Sequence, residues 1–271
     1  MPAVTAQHAM LCAVEPNHRR PGPSATGFDY DWVSVEDYER YRPGYAPEAV
    51  NWILERTGLG SGSAVADLAA GTGKLTRLLV EAGLDVIAVE PSARMRAVLA
   101  RVVDGARAVD GTAESIPFPD GSLDCVVAGS AFHHFRGEEA LGEIGRVLRP
   151  EGHLALFWNI YVKDDPIKLA MDEVIDRYVD PSSAICAAFG SWPAAFDATG
   201  LFAKTEVREF ARVHEIPSAG LAPLLATSSD IASLPNDQLA SFLADIAAFA
   251  RTLPDQVAIP AVTRVDLFSK V

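Results

Sequence analysis

At 271 residues, 49% of them hydrophobic and 22% charged, the chain is long enough to bury the core of one α/β domain. Its net charge of -13, from 23 Lys and Arg against 36 Asp and Glu, repels phosphate backbones and speaks against nucleic acid as a partner. No uninterrupted apolar run approaches the roughly 18 residues needed to cross a bilayer, so a membrane partner is not expected either.

In chain order, the stretch MPAVTAQHAMLCAVEPNHRRPGPSATG carries a short apolar patch with no basic residue ahead of it. It makes a poor signal peptide and reads as a flexible arm over residues 1–27, with a single domain over 28–271. SVEDYERYRPGYAPEAVNWILERTGLG then holds two helix-like segments, the second running from Pro47 to a stop at Gly58. From there strands and helices alternate. SAVADLA, DVIAVE, RAVD, LDCVVAGS and GHLALFWN read as strands; GKLTRLLVEAG, SARMRAVLARV (capped by Ser92) and GEEALGEIGRVLRP (stopped by Pro150) read as helices. Such alternation gives a parallel sheet with helices on both faces. A helical insert follows over about 160–201, then a strand AKTEVREFARVHEI, helical segments over about 216–251, and a closing strand TRVDLFSKV. The helical pieces form a lid, and the last two strands an antiparallel hairpin at the sheet edge. The three cysteines, Cys12, Cys125 and Cys186, fit neither a disulfide framework nor a zinc spacing, which points to a reducing, cytoplasmic setting. No metal site is expected.

The turn in VADLAAGTGKL sits at the carboxyl end of the first strand, where open parallel sheets bind ligands. Its bare backbone is either a tight strand-to-helix turn or a place where a ligand approaches the main chain. Glu90 ends the second strand about 20 residues after Gly71, where an acid can accept hydrogen bonds from ribose hydroxyls, and this favours a nucleoside-bearing cofactor. Thr76 stands where a dinucleotide fingerprint needs its third glycine, and Leu75 where a phosphate loop needs a hydroxyl, so pyrophosphate is disfavoured.

Four stretches in order, VADLAAGTGKLTRLL, VIAVEPSARM, DGTAESIPFPDGSLDCVVAGSAFHHF and EIGRVLRPEGHLALFWN, resemble the motifs of class I S-adenosylmethionine-dependent methyltransferases. The segment YRPGYAPEAVNWILERTGL is similar to the small-molecule branch that holds the trans-aconitate and ubiquinone-pathway methyltransferases. The resemblance implies a Rossmann-like, mostly parallel seven-stranded sheet and S-adenosyl-L-methionine as cofactor. By the same resemblance Asp67, Ala69, Gly71 and Gly73 line the methionine part, and Tyr41 and Arg42 reach its carboxylate. Glu90 takes the ribose, Pro91 and Met95 flank the adenine, and Thr112 and Ala113 meet its edge with Glu114 beside them. Ser130 and Ala131 pass close to the methionine amine. The family's usual glycine is Ala69 here, and the usual acid of the third motif is Thr112.

Methyl transfer from a sulfonium is a direct displacement, in which the protein aligns the nucleophile and excludes water. His133 and His134, after the fourth strand, are the candidates for a catalytic base, with a wall role for His134 as the alternative. Trp158, Phe132 and Phe135 end the fourth and fifth strands and either contact the ligands or pack in the core. The expected function is methyl transfer to O, N or C of a small-molecule substrate. Alternatives are a non-methylating reaction on the same fold, a non-catalytic cofactor-binding protein and, more weakly, a nicotinamide dehydrogenase. Acceptor identity and oligomeric state are not legible.

Overall fold

The computed structural model describes residues 33–180 and 192–271; the expected arm, Cys12 and Cys186 lie outside the described residues. Helix α1 (Val35–Tyr41) starts at Ser34, whose hydroxyl accepts the Asp37 N–H at 3.1 Å. Helix α2 (Pro47–Thr57) has proline in its first turn, where no N–H is needed, and ends on Gly58 in the left-handed conformation.

The alternating region folds as β1 (Ala64–Leu68), α3 (Lys74–Glu81), β2 (Asp85–Val89), α4 (Ala93–Val102), β3 (Arg107–Val109), β4 (Leu123–Gly129), α5 (Gly137–Val147) and β5 (Leu148–Tyr161). After it come α6 (Pro166–Ile175), α7 (Pro193–Thr199), β6 (Phe202–Pro217), α8 (Leu221–Ala226), the short α9 (Ser229–Ala232), α10 (Asn236–Ala250) and β7 (Gln256–Lys270). The sheet order is β3-β2-β1-β4-β5-β7-β6. The first five strands are parallel, and β7 runs antiparallel to both β5 and β6. The strand order reverses between β1 and β4, so the carboxyl ends of those two strands form the crevice in which such sheets take ligands.

Period-two alternation sends the two faces of the central strands into separate cores. Ala66, Leu68, Val126, Ala128, Leu154 and Leu156 pack under α5, while Val65, Cys125, Val127, Ala155 and Phe157 pack against α2 and α3. A third cluster joins α6, α8 and α10 to Ile216, Val257 and Ile259 at the far ends of β6 and β7, and forms a cap beside the crevice.

Two boundaries differ from the sequence reading. Helix α5 stops at Val147, before Pro150, because Leu148 already pairs with Leu123; Pro150 lies in the bulge between that pair and Cys125–His153. Strand β7 begins at Gln256, since Pro260 masks a strand that pairs with β6 from Pro217 to Phe202, with one register shift between Glu206 and Lys204. Among the described residues no helix is long and apolar enough to cross a membrane, and no three metal-ligating side chains come together.

Candidate active site

A cavity of about 670 Å³ opens at the carboxyl ends of β1, β4 and β5, a size usual for small-molecule sites. Its floor is Asp67, Ala69, Ala70 and Thr72 from β1 and the following turn, with Gly129 and Ser130 from the end of β4. Ala69 and Ser130 both hold φ of 52°. A side chain in that left-handed region costs roughly 1–2 kcal/mol, and such outliers collect at functional sites. Alanine at position 69 therefore keeps the backbone turn a glycine would give, at the expense of some strain.

Asp67 is buried, and its Oδ2 accepts the Thr76 hydroxyl at 2.6 Å. Thr76, whose presence spoke against a dinucleotide, thus anchors the floor acid. Asp67 Oδ1 is buried with no hydrogen-bond partner among the described residues, as is Thr72 Oγ1. Burial pushes the Asp67 carboxyl up to about 7, against the lowering effect of the Thr76 hydrogen bonds. An unmatched carboxylate oxygen on a cavity floor is costly alone and fits a positively charged ligand group.

The roof comes from α1 and the segment after it. Tyr38, Arg42, Pro43 and Tyr45 line the cavity. Lys74 holds α1 down by donating to the Glu39 carbonyl at 2.6 Å, and Arg77 pairs with the Glu39 carboxylate at 3.1 Å. Arg42 reaches the cap, donating to Thr227 Oγ1 at 2.8 Å and Ser228 Oγ at 2.9 Å. Asn159 donates to the Gly44 carbonyl at 2.8 Å and accepts from Thr263 at 3.0 Å, which fixes the loop over the sheet.

The expected site residues divide. Arg42, Asp67, Ala69, Ser130, His133 and His134 come together around the cavity. Tyr41 does not: its ring packs on Gly220, where an added Cβ would stand 2.6 Å away, and Tyr38 one turn earlier takes the cavity side. Gly73 does not line the cavity either: at φ 86°, a Cβ on it would stand 2.8 and 2.9 Å from Val103 and Leu99. It supplies the close packing of α3 on α4. Gly71 donates its N–H to Glu90 Oε2 at 2.8 Å, and Ser92 donates to Oε1 at 2.9 Å, so Glu90 clamps the turn. Beyond Glu90, Pro91 is exposed and Met95 packs with Val35 and Val98 under α1. Thr112 bridges to Ser115, Ala113 is core, and Glu114 accepts the Arg136 N–H at 2.8 Å. Ala131 is buried behind Ser130.

His133 and His134 lie with ring centroids 3.9 Å apart. Burial, then the positive charge of His134 and Arg42, pushes His133 down to about 2. Burial and Arg42 push His134 down to about 4. Both are neutral at physiological pH and weaker bases than a free imidazole. Residues missed in the sequence include Tyr38, Tyr161 and Trp192. Tyr38 was findable: Val35, Tyr38 and Arg42 fall on one stripe of a helix that begins at Ser34. Tyr161 was hidden because its partner is distant, the buried His214, 2.7 Å from its hydroxyl.

A family model described as a methyltransferase domain matches residues 66–156. An uncharacterized methyltransferase of Mycobacterium tuberculosis is 44% identical over 150 residues, 55% of this chain and 59% of its own length, so the match spans little more than half of that relative. A solved structure from Anaeromyxobacter dehalogenans, provisionally described as a type II methyltransferase, has a TM-score of 0.59 at 20% identity, over 85% of this chain and 97% of its own. That likeness concerns the fold. An uncharacterized methyltransferase-like protein of Schizosaccharomyces pombe is 31% identical over 225 residues, 82% of this chain and 86% of its own. With the domain model lying on the strands that carry Asp67 and Ser130, and a relative matched along most of both lengths, the chain belongs to the methyltransferase family.

Proposed function

We propose that the protein transfers the methyl group of S-adenosyl-L-methionine to an O, N or C nucleophile of a small organic molecule. The observation that carries this reading is the buried, unmatched Asp67 Oδ1 on the cavity floor, between two strained turns at Ala69 and Ser130. The residues present fit the cofactor. Asp67 would accept from the methionine ammonium, Arg42 would meet its carboxylate from the roof, and Glu90, at the end of β2, would take the ribose. When bound, the cofactor supplies an electrophilic methyl group on a sulfonium.

The chain's own contribution is mainly position and dryness. Lys74 and Arg77 hold α1 over the floor through Glu39, and Arg42 ties it to the cap, so water is kept from the reacting centre. His133 and His134 form an uncharged wall where the acceptor lies; their lowered basicity favours a positioning role over proton abstraction. We assign α6 and α8 to α10 as the cap within one methyltransferase domain. Incubation with methyl-labelled cofactor and pools of small acceptors tests the reading. Label recovered in a small product supports it; full cofactor occupancy with no label moved from any nucleophile class sinks it.

A further inference from the structure

Past the floor, the cavity wall is a file of flat rings. His134 and His133 lie 3.9 Å apart, His133 and Trp158 5.7 Å, and Trp158 and Trp192 5.5 Å with planes 27° from parallel. All four line the cavity. The far end is fixed from behind. Trp192 meets Phe132 and Phe196 edge-on at 6.0 and 5.8 Å, and the Lys204 ammonium lies 5.6 Å from its ring. Lys204 is itself held by the buried Asp266 at 2.7 Å. Trp192 is therefore a rigid platform, and Trp158 beside it is set by its place in β5.

Trp158 carries a second signal. Its indole Nε1 is buried and has no hydrogen-bond partner among the described residues. A buried indole N–H ordinarily finds an acceptor, and one left unmade costs stability. Trp158 itself lines the cavity. The imidazoles of His133 and His134 are neutral, and the charged residues that line the cavity beside Trp158, Arg264 and Asp266, pair with each other at 3.0 Å, so the rings present π-faces without an unpaired ion.

We infer that the wall of His134, His133, Trp158 and Trp192 is the acceptor subsite, and that it takes a planar aromatic molecule whose oxygen or ring-nitrogen lone pair accepts the Trp158 indole N–H. This rests on the methyltransferase reading for the meaning of "acceptor", while the subsite itself rests on the ring file and the unmade indole bond. A planar ligand offers stacking area at little entropic cost, and one lone pair fixes its rotation within the stack. A saturated ring of the same size has neither the flat face nor the quadrupole to match the wall.

Equilibrium dialysis of the full chain with 2-naphthol and with decahydro-2-naphthol, with and without saturating S-adenosylhomocysteine, reads the subsite directly. The expected result is that 2-naphthol binds about tenfold more tightly than its saturated counterpart. Trp158→Phe, which keeps a ring and loses the N–H, weakens 2-naphthol about fivefold, and Trp192→Leu about tenfold. Calorimetric affinity for S-adenosylhomocysteine stays within about twofold in both variants. Equal binding of the two probes, or a Trp158→Phe variant that binds 2-naphthol as wild type does, overturns the inference. So does a loss confined to S-adenosylhomocysteine, which would make the ring file part of the cofactor seat. Failure of wild type to bind S-adenosylhomocysteine counts against the methyltransferase reading alone, because the probe comparison without it still decides the subsite.

Discussion

The Thr76 hydroxyl donates to Asp67 Oδ2 at 2.6 Å, while the other oxygen of the same carboxylate is buried without a partner. One oxygen of the acid is held by the first turn of α3, and the residue lines the cavity floor. Thr76→Val removes the hydroxyl anchor and leaves the carboxylate only the backbone hydrogen bond from position 76. Denaturant unfolding is expected to show a loss of about 1–2 kcal/mol. Calorimetry is expected to show S-adenosylmethionine bound about tenfold more weakly, since the acid is less well oriented and less readily ionised. No change in either would remove Thr76 from the account.

The pH dependence follows from the same group. Asp67 is raised from its ordinary 3.8 to about 7 by burial, so between those values the native state holds a proton that the unfolded state has released. Stability of the ligand-free protein therefore falls as pH rises across that window. Asp67→Asn removes this part of the slope, and subtracting its unfolding curves from those of wild type isolates it. Cofactor binding runs the other way and strengthens as pH rises through about 7, because the ionised carboxylate is the acceptor. A difference curve flat from pH 4 to 7 would show that Asp67 titrates as an exposed acid.

The turn after β1 makes opposite demands at two nearby positions. Ala69 holds φ 52° with a side chain, so Ala69→Gly relieves strain and is expected to stabilise by about 1 kcal/mol. Gly73→Ala places a methyl 2.8 Å from Val103 and 2.9 Å from Leu99 at φ 86°, and is expected to destabilise by about 2–3 kcal/mol. Thermal unfolding of the two variants checks the pair; equal effects of one sign would contradict the assigned roles.

The architecture was legible because its elements carry local signals. Buried strands bounded by glycine turns, Ser92 accepting the Met95 N–H at 3.4 Å and Gly58 closing α2 are all short-range events. Asp67, Ala69 and Ser130 were named through the resemblance, and they line the cavity at the ends of β1 and β4. What was not legible depends on distant partners. Tyr41 and Tyr38 differ only in which face of α1 meets Gly220 of the cap, and Gly73 looks like a ligand glycine until Leu99 of α4 and Val103 just after it are placed against it. Trp192 reaches the cavity only because α7 packs on the sheet face that carries Phe268 and Lys204.

The cap is held to α1 by Arg42, through Thr227 and Ser228. Arg42→Met keeps the stem and removes both bonds. Hydrogen exchange at Leu224 and Leu225 in α8 is expected to quicken about tenfold, with cofactor affinity weakened in parallel. Unchanged protection in α8 would mean that the cap is seated by its apolar cluster alone.

The central claim is that the Asp67 floor seats the methionine end of the cofactor. Calorimetric titration of S-adenosylmethionine and S-adenosylhomocysteine into wild type and Asp67→Ala at pH 8 tests it most directly. The account expects saturable one-to-one binding to wild type and a loss of at least about thirtyfold in a variant that remains folded. Wild type that binds neither compound, or an Asp67→Ala variant that binds both as tightly as wild type, would contradict it.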